Sequence, residues 1–227
     1  MKIHFLGTGD GSQRIKKSDD VRDIRRSSSI LIDDMLLVDP GPDIFKFEKD
    51  FGYSGLYDET DGYICTHKHK GHYSKISALR LGAKEVKTKF FKPVETQFFN
   101  ITALPANHSS AKSPKCFIIE SKTDGRRIFY GGDGAMLLSQ TAQVLDTMRF
   151  DVMIFEATLC EREGDIEIFE HNNLNAVKEL SKVFSKKADK IFVSHIGSNS
   201  SMTHGEIADM AAEWNVGVAY DDLKIEI

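Results

Sequence analysis

A series of short apolar segments constrains the fold of this sequence more than any other feature. Each segment is rich in aliphatic or aromatic residues, and each is followed at once by a polar residue or by glycine. The segments are Ile3–Leu6, Ser29–Ile32, Met35–Val38, Gly62–Cys65, Phe117–Ile119, Arg127–Tyr130, Val152–Phe155 and Lys190–Val193. Short segments bounded in this way are typical of β-strands. The sequence therefore predicts a fold rich in short strands, each of which ends in a loop.

Other segments show the apolar spacing of amphipathic helices. They are Tyr73–Ala83, Met136–Met148, Leu174–Phe184 and His204–Trp214, and residues three or four apart on one helical face are apolar in each. The pair Asp33-Asp34 separates two strands and predicts a hairpin turn. The charged segment Ser12–Arg26 lacks any apolar periodicity, so we expect a mobile surface loop there.

Composition and charge exclude some classes of function. The chain has 227 residues and a formal net charge of −4, with an isoelectric point near 6.1. This balance lacks the basic excess of proteins that bind nucleic acid through its phosphates, so we expect no long nucleic acid as a partner. No long apolar segment suggests a signal peptide or a membrane span. We expect a single domain over residues 1–227 in a soluble, cytoplasmic protein that has no membrane partner, and homodimerisation is left open.

The cysteines point to the same compartment. Cys65, Cys116 and Cys160 are odd in number, widely spaced and set in apolar stretches. This pattern favours free, buried thiols in a reducing cytosol.

A cluster of histidines follows the strand Gly62–Cys65. The segment Thr66-His67-Lys68-His69-Lys70-Gly71-His72 places three imidazoles in a loop at a strand end, and imidazole is the commonest protein ligand for a metal ion. Taken alone, the segment also fits a solvated, lysine-interrupted loop without a role.

Three further residues favour the metal site over that alternative. His108, Asp133 and His195 each follow an apolar segment at a separate strand end. Core histidines that are merely hydrogen-bonded do not explain why four strand ends deliver metal-binding side chains. We therefore interpret these residues as one constellation.

The order and spacing of this constellation resemble those of the metallo-β-lactamase superfamily of hydrolases. The marks of that superfamily are an H-x-H-x-D-H loop and then His, Asp and His at later strand ends. Within it, the chain is most similar to the branch that contains the phosphonate-pathway cyclic phosphodiesterase and ribonuclease Z. Further segments that resemble motifs of this branch are Gly7–Gly9, Arg26–Ile32, Val38–Gly41, Phe155–Thr158 and His171–Ala176. The resemblance, with the alternation of strands and helices, predicts an α/β (α+β) fold, a four-layer αββα sandwich.

The resemblance also implies a ligand set and a chemistry. It makes His67, His69 and His108 ligands of a first metal ion, His72 and His195 ligands of a second, and Asp133 the bridge between them. One or two divalent ions are expected as cofactors, and a His/Asp site accepts zinc, manganese, iron or nickel. The implied function is metal-dependent hydrolysis of a small phosphodiester or related ester through a metal-bound hydroxide, with a small-molecule phosphoester as substrate.

Gly71 departs from the pattern, because the family loop carries Asp at that position. The second site thereby loses an anionic ligand, and we expect it to bind its ion more weakly than the first. Glycine is also expected to leave an empty volume there that water or a substrate oxygen fills. The departure supports an alternative function, that of a non-catalytic or divergent relative that binds a metal or a ligand.

His171 and Glu156 are the candidate catalytic residues. His171 precedes an Asn-rich helix start and is predicted to be the general acid, and Glu156 at a neighbouring strand end is predicted to hold its imidazole in one tautomer. The alternative is that both are ordinary polar residues near a helix cap. Residues Asn107, Ser109 and Ser110 are candidate phosphate ligands, although turn residues look the same. His4 and His204 are not expected to take part.

Overall fold

Two mixed β-sheets form the centre of residues 1–11 and 19–227, the part of the chain that the computed structural model describes. The strands are β1 (Lys2–Gly7), β2 (Ser29–Ile32), β3 (Leu36–Val38), β4 (Gly62–Ile64), β5 (Lys84–Glu85), β6 (Pro93–Glu95), β7 (Phe99–Pro105), β8 (Lys115–Ser121), β9 (Arg127–Tyr130), β10 (Phe150–Ala157), β11 (Ala188–Ile196), β12 (Val216–Val218) and β13 (Lys224–Glu226). The α-helices are α1 (Ile44–Asp50), α2 (Lys75–Leu81), α3 (Ser139–Asp146), α4 (Leu174–Phe184) and α5 (His204–Ala212). Short 3₁₀ turns occupy Val21–Asp23 and Ile166–Phe169.

Each sheet combines parallel and antiparallel neighbours. One sheet has six strands in the order β13-β1-β2-β3-β4-β5, and the other has seven in the order β12-β11-β10-β9-β8-β7-β6. Strands β1, β2 and β3 pair antiparallel, whereas β4 runs parallel to β3. In the second sheet, β9, β10, β11 and β12 form a parallel run. The carboxyl ends of β10 and β11 therefore meet at one edge of that sheet.

Alternation along the strands sorts the apolar side chains into three layers. In β2, Ile30 and Ile32 pack in the layer between the sheets, whereas Leu31 packs with α1 and α2. In β8, Phe117 and Ile119 join the same central layer. The opposite face of the second sheet packs under α3, α4 and α5. This period of two gives the order helix, sheet, sheet, helix, and the predicted four-layer αββα sandwich is confirmed.

The strands and helices predicted from the sequence are all present, with small shifts at their ends. Asp33 and Asp34 have φ angles of 49° and 61°, and the Met35 amide donates to the Ile32 carbonyl at 2.9 Å, so the predicted hairpin turn is present. Because Ile32 pairs with Leu36, Met35 is a third residue of the connection. Helix α1 and the strands β5, β6, β7, β12 and β13 were not predicted. Both residues of β5 are exposed, so that strand shows no alternation of apolar and polar residues.

The buried thiols are also as predicted. Cys65, Cys116 and Cys160 are free and buried. Among the described residues, no helix is both long enough and apolar enough to cross a membrane.

The predicted surface loop Ser12–Arg26 lies partly outside the described residues, which omit positions 12–18. In the remainder, Val21, Arg22 and Ile24 are exposed, as expected of a surface loop, whereas Asp23 and Arg25 are buried. The Arg25 guanidinium donates to the Thr8 hydroxyl at 2.9 Å and to the Ala219 carbonyl at 2.7 Å. Buried charges of this kind persist only when they are paired and hydrogen-bonded. The partners of Arg25 lie far from it in the sequence, so local periodicity could not reveal its burial.

Asp221 completes this buried network. Its carboxylate accepts hydrogen bonds from the Thr8 amide and hydroxyl, both at 2.9 Å. It also accepts from the Arg26 amide at 2.8 Å and lies 3.1 Å from the Arg26 guanidinium. The network fixes the loop that follows β1 against the segment before β2.

Replacing Asp221 by alanine should therefore destabilise the protein strongly. Asp221→Ala removes the buried carboxylate that pairs with Arg26 and leaves the amide and hydroxyl of Thr8 without their acceptor, and we expect the free energy of unfolding to fall by about 3–5 kcal/mol. Urea unfolding followed by circular dichroism measures this loss.

The matched control is Asp189→Ala. Asp189 pairs with Arg149 at 3.3 Å, and both side chains are exposed, so we expect a change below about 1 kcal/mol. Equal small losses for both variants would contradict the structural role assigned to Asp221.

Candidate metal centre

The histidine loop and three other strand ends meet at one place in the fold. The ring of His67 lies 4.5 Å from that of His69, 4.3 Å from that of His72 and 5.0 Å from that of His108, between centroids. The rings of His72 and His195 are 4.9 Å apart and nearly parallel. His108 and His195 lie far from this histidine loop in the sequence, so the tertiary fold brings them to it.

Their ligand atoms form two groups that share one carboxylate. The first site consists of His67, His69, His108 and Asp133, and the second site consists of His72, Asp133 and His195. Within each site, the candidate ligand atoms lie within 4.8 Å of one another. The division matches the one that the resemblance implied, and the assignment of the ligands stays a prediction.

The two carboxylate oxygens of Asp133 face different sites. Oδ1 lies 2.8 Å from Nε2 of His195 and 3.2 Å from Nε2 of His72. Oδ2 lies 3.6 Å from Nε2 of His67 and 3.8 Å from Nε2 of His108. A single carboxylate with one oxygen toward each site is the arrangement that can bridge two cations.

Unpaired buried atoms indicate that the site fits a cation. His67 Nε2 and Asp133 Oδ1 are buried and have no hydrogen-bond partner of suitable geometry among the described residues. His72 Nε2 and His195 Nε2 face each other at 3.0 Å. Leaving His67 Nε2 and Asp133 Oδ1 unpaired is costly. A divalent ion would satisfy imidazole nitrogens and a carboxylate oxygen together.

The electrostatics of the cluster keep His67 and Asp133 in their metal-binding forms. Burial, reinforced by the neighbouring His72, lowers the pKa of His67 to about 2. Its imidazole is therefore neutral and keeps a lone pair. Burial would raise the pKa of Asp133, but the His195 and His72 rings outweigh it and hold that pKa well below its usual value. Asp133 is thus an anion in the centre of the cluster.

Strand β11 delivers His195 through a distortion of its backbone. In the pairing of β10 with β11, Glu156 lies opposite Ser194 and Ala157 opposite Ile196, so His195 is an extra residue in the register. It has a φ of 52°, which is unusual for a residue other than glycine. Such a bulge re-aims a side chain, and here it directs the imidazole toward Asp133.

Several residues that the sequence did not single out orient the imidazoles. Asp39 Oδ2 lies 2.8 Å from Nδ1 of His72, and the Thr158 hydroxyl lies 2.8 Å from Nδ1 of His195. The Glu170 carboxylate lies 3.2 Å from Nδ1 of His108. Hydrogen bonds to the second ring nitrogen fix the tautomer and ring plane of a ligand histidine. Asp39 and Thr158 lie in segments that carried the resemblance, whereas Glu170 had no signal in the sequence.

The side chains of His171 and Glu156 are in contact, and their catalytic role stays a prediction. Nδ1 of His171 lies 3.0 Å from Oε1 of Glu156, and Glu156 also accepts from the amides of Gly134, Thr158 and Asn172. Burial lowers the pKa of His171, but the hydrogen bond and charge of Glu156 outweigh this and raise it to about 9. The ring is therefore protonated at neutral pH.

The other candidates have different outcomes. Asn107 donates to the Met136 carbonyl at 3.0 Å and Ser109 donates to Glu170, so both side chains are engaged within the protein. Ser110 lines the cavity over the metal ligands. His4 bonds to Asp222 at 2.8 Å and His204 faces Arg25 at 3.0 Å, which agrees with their exclusion.

The expectation of an empty volume beside Gly71 is wrong. A β-carbon built on Gly71 would lie 2.8 Å from the backbone carbonyl oxygen of Asp10, a distance that forces something to move. The loop after β1 fills the place where a side chain would begin. A Gly71→Asp substitution therefore requires that loop to shift.

A cavity of about 300 Å³ opens over the two sites. Besides the candidate ligands, its wall includes Asp10, Ser110, Arg162, Glu167 and His171. The candidate general acid and both sites thus face the same space.

The fold is shared with solved structures of known type. A diphosphatase of the PhnP family is 16% identical with a TM-score of 0.75, and the match covers 100% of this chain and 97% of that one. YhfI of Bacillus subtilis, a metallo-β-lactamase fold protein, is 17% identical with a TM-score of 0.73 and a coverage of 100% and 98%. Human tRNase Z, short form, is 16% identical with a TM-score of 0.67 and a coverage of 100% and 99%. The chain has the metallo-β-lactamase fold, and the resemblance seen in the sequence is confirmed at that level.

No family model and no curated protein matches the chain by sequence.

We expect the first site to bind a divalent ion more tightly than the second, because it offers four protein side chains where the second offers three. Dialysis of the metal-loaded protein should remove the second ion before the first, as measured by elemental analysis.

His108→Ala and His195→Ala form a matched pair for this prediction, since each removes one imidazole from one site. His108→Ala should release the tightly held ion, whereas His195→Ala should affect only the weakly held one. Full and equal occupancy of both sites in the dialysed wild type would contradict the ranking.

Proposed function

We propose that this protein is a metal-dependent hydrolase that acts on a small phosphodiester or a related ester. The observation that carries the proposal is the shared carboxylate of Asp133, which faces two groups of imidazoles beneath an open cavity. Metal ions bound there would lower the pKa of a bound water and polarise the ester oxygen.

His171 is the proton donor of the proposal. Its Nδ1 is held by Glu156, so Nε2 is the ring nitrogen left to face the cavity that His171 lines. Because Glu156 keeps the ring protonated at neutral pH, Nε2 can donate to the oxygen of the departing alcohol as the ester bond breaks. The hydrogen bonds of Glu156 to three backbone amides hold this pair in place.

The size and lining of the cavity favour a small, polar substrate. A volume of about 300 Å³ lies at the lower end of the range for small-molecule sites. Its wall is polar, with the Ser110 hydroxyl 3.4 Å from Nε2 of His108. A hydroxyl so close to the first site is placed to donate to an ester oxygen.

The comparisons support this proposal through the fold. Two of the similar structures are a diphosphatase and a tRNase. Both names describe enzymes that cleave phosphorus–oxygen bonds in phosphate esters or anhydrides. The alternative function is that of a metal- or ligand-binding protein that has lost hydrolysis together with the Asp at position 71. Ester turnover by the metal-loaded protein distinguishes the two functions.

His171→Ala should lower the turnover of bis(p-nitrophenyl) phosphate by the metal-reconstituted protein. General acid assistance is typically worth about 10²–10⁴-fold, so we expect a loss of kcat/KM of that order. The metal content should stay at the wild-type level, because His171 belongs to neither site.

Glu156→Gln provides a second readout, the pH profile of the rate. A required protonated His171 makes the rate fall as the pH rises through its pKa of about 9. Without the Glu156 charge that raises this pKa, the fall should occur at lower pH. A metal-loaded wild type without turnover, or a harmless His171→Ala, would favour the binding protein.

A further inference from the structure

The loop after β1 packs directly against the position where the second site lacks its carboxylate. The Asp10 carbonyl oxygen lies 2.8 Å from the place of a β-carbon on Gly71. In the other direction, a β-carbon on Gly11 would lie 2.6 Å from the Cα of Gly71. Gly11 has a φ of +86°, a backbone region that suits glycine. The two glycines thus permit a backbone contact that side chains would prevent.

This contact brings a different carboxylate to the cavity. Asp10 lines the same space as Gly71, His72, Asp133 and His195. Its Oδ2 accepts hydrogen bonds from the Ser198 amide at 2.8 Å and from the Ser198 hydroxyl at 2.9 Å. Ser198 lies three residues beyond His195, so Asp10 is held on the side of the second site.

The backbone around Asp10 is tied to the same strand end. Gly9 donates to the Arg26 carbonyl, and Ile196 donates to the Thr8 carbonyl, both at 2.8 Å. Ile196 is the residue next to His195. Since Asp221 also fixes Thr8, the position of Asp10 relative to His195 is determined by a buried network.

We infer that Asp10 supplies to the second site the carboxylate function that position 71 lacks. The inference rests on the metal centre of the proposed function and deepens it. Among the described residues, the ligand atoms that converge at the second site belong to His72, Asp133 and His195. The Asp10 carboxylate is not one of these converging atoms. Asp10 therefore acts on the site through a water molecule, which its carboxylate orients as a hydrogen-bond acceptor, and it adds negative charge beside the cation.

The experiment measures binding of Mn²⁺ to the metal-free full chain by calorimetry. Asp10→Asn keeps an oxygen that can accept from Ser198 but removes the charge. We expect the weaker of two binding events to lose about 10–100-fold in affinity, while the tighter event stays unchanged. Asp10→Glu, which keeps the charge, should lie closer to the wild type than Asp10→Asn does.

Asp43→Asn is the matched control. The Asp43 carboxylate accepts from the amide and the hydroxyl of Ser27 at 3.1 Å and 2.7 Å, the same pattern that Asp10 shows with Ser198. Asp43 does not line the cavity, so Mn²⁺ affinities within about twofold of the wild type are expected, a change small against the loss at Asp10.

Three results would overturn the inference. They are a weaker event unchanged by Asp10→Asn, a reversed order of Asp10→Glu and Asp10→Asn, and a wild type that binds only one ion. If Asp10→Asn leaves the weaker event unchanged, the role of the Asp10 carboxylate is only to accept the hydrogen bonds of Ser198. Failure of the proposed function appears separately, as absence of ester turnover, and leaves the binding titration readable.

Discussion

A single buried carboxylate, that of Asp133, is the group on which the rest of the site depends. Only 5% of its surface is exposed, and imidazoles from separate strand ends surround both of its oxygens. An anion in such a place is stable only with compensating positive charge. Burial lowers the pKa of His72, but the charges of Asp133 and Asp39 outweigh it and raise that pKa to about 10, so without a bound cation the protonated ring supplies positive charge. A cation bound at the second site would take the place of that proton.

Two residues of this arrangement have a strained backbone conformation. Asp39 and His195 have φ angles of 60° and 52°, and strained positions of this kind cost on the order of 1–3 kcal/mol each. Asp39 uses its conformation to reach both His72 and the amide of Thr66. His195 uses its own to leave the strand register and face Asp133. Local rules of structure are broken where the site is built and are kept in the two sheets that support it.

Position 71 shows how one substitution can be understood only with its surroundings. Read along the chain, Gly71 is the loss of a ligand. In three dimensions it is a point of close backbone contact with the loop of Asp10, and that loop is fixed by Asp221 and Arg25 from opposite ends of the chain. The carboxylate that the histidine loop lacks is thus balanced by one on a neighbouring loop. Gly71 therefore lacks the carboxylate of the family loop and, for the same reason, allows the loop that carries Asp10 to pack against it.

The sequence by itself determined the kinds of elements and the ligand candidates. Alternation in segments such as Ser29–Ile32 specifies strands, because side chains on a pleated strand face opposite sides. The histidine loop and the acid at Asp133 were visible because metal chemistry demands particular side chains at strand ends. Strand β5 was not visible, because both of its residues are exposed and only its pairing with β4 defines it. Helix α1 has only seven residues, too few to show a helical period.

Only the tertiary structure decided how close those candidates lie to one another and which residues support them. The two oxygens of Asp133, the bulge at His195 and the approach of Asp10 to Gly71 all join residues far apart in the chain. So do the contacts of Glu170 with His108. Spacing along a sequence carries no information on such distances, because they follow from how two sheets pack and where their loops meet. That packing turned a list of metal-binding side chains into two sites beneath one cavity.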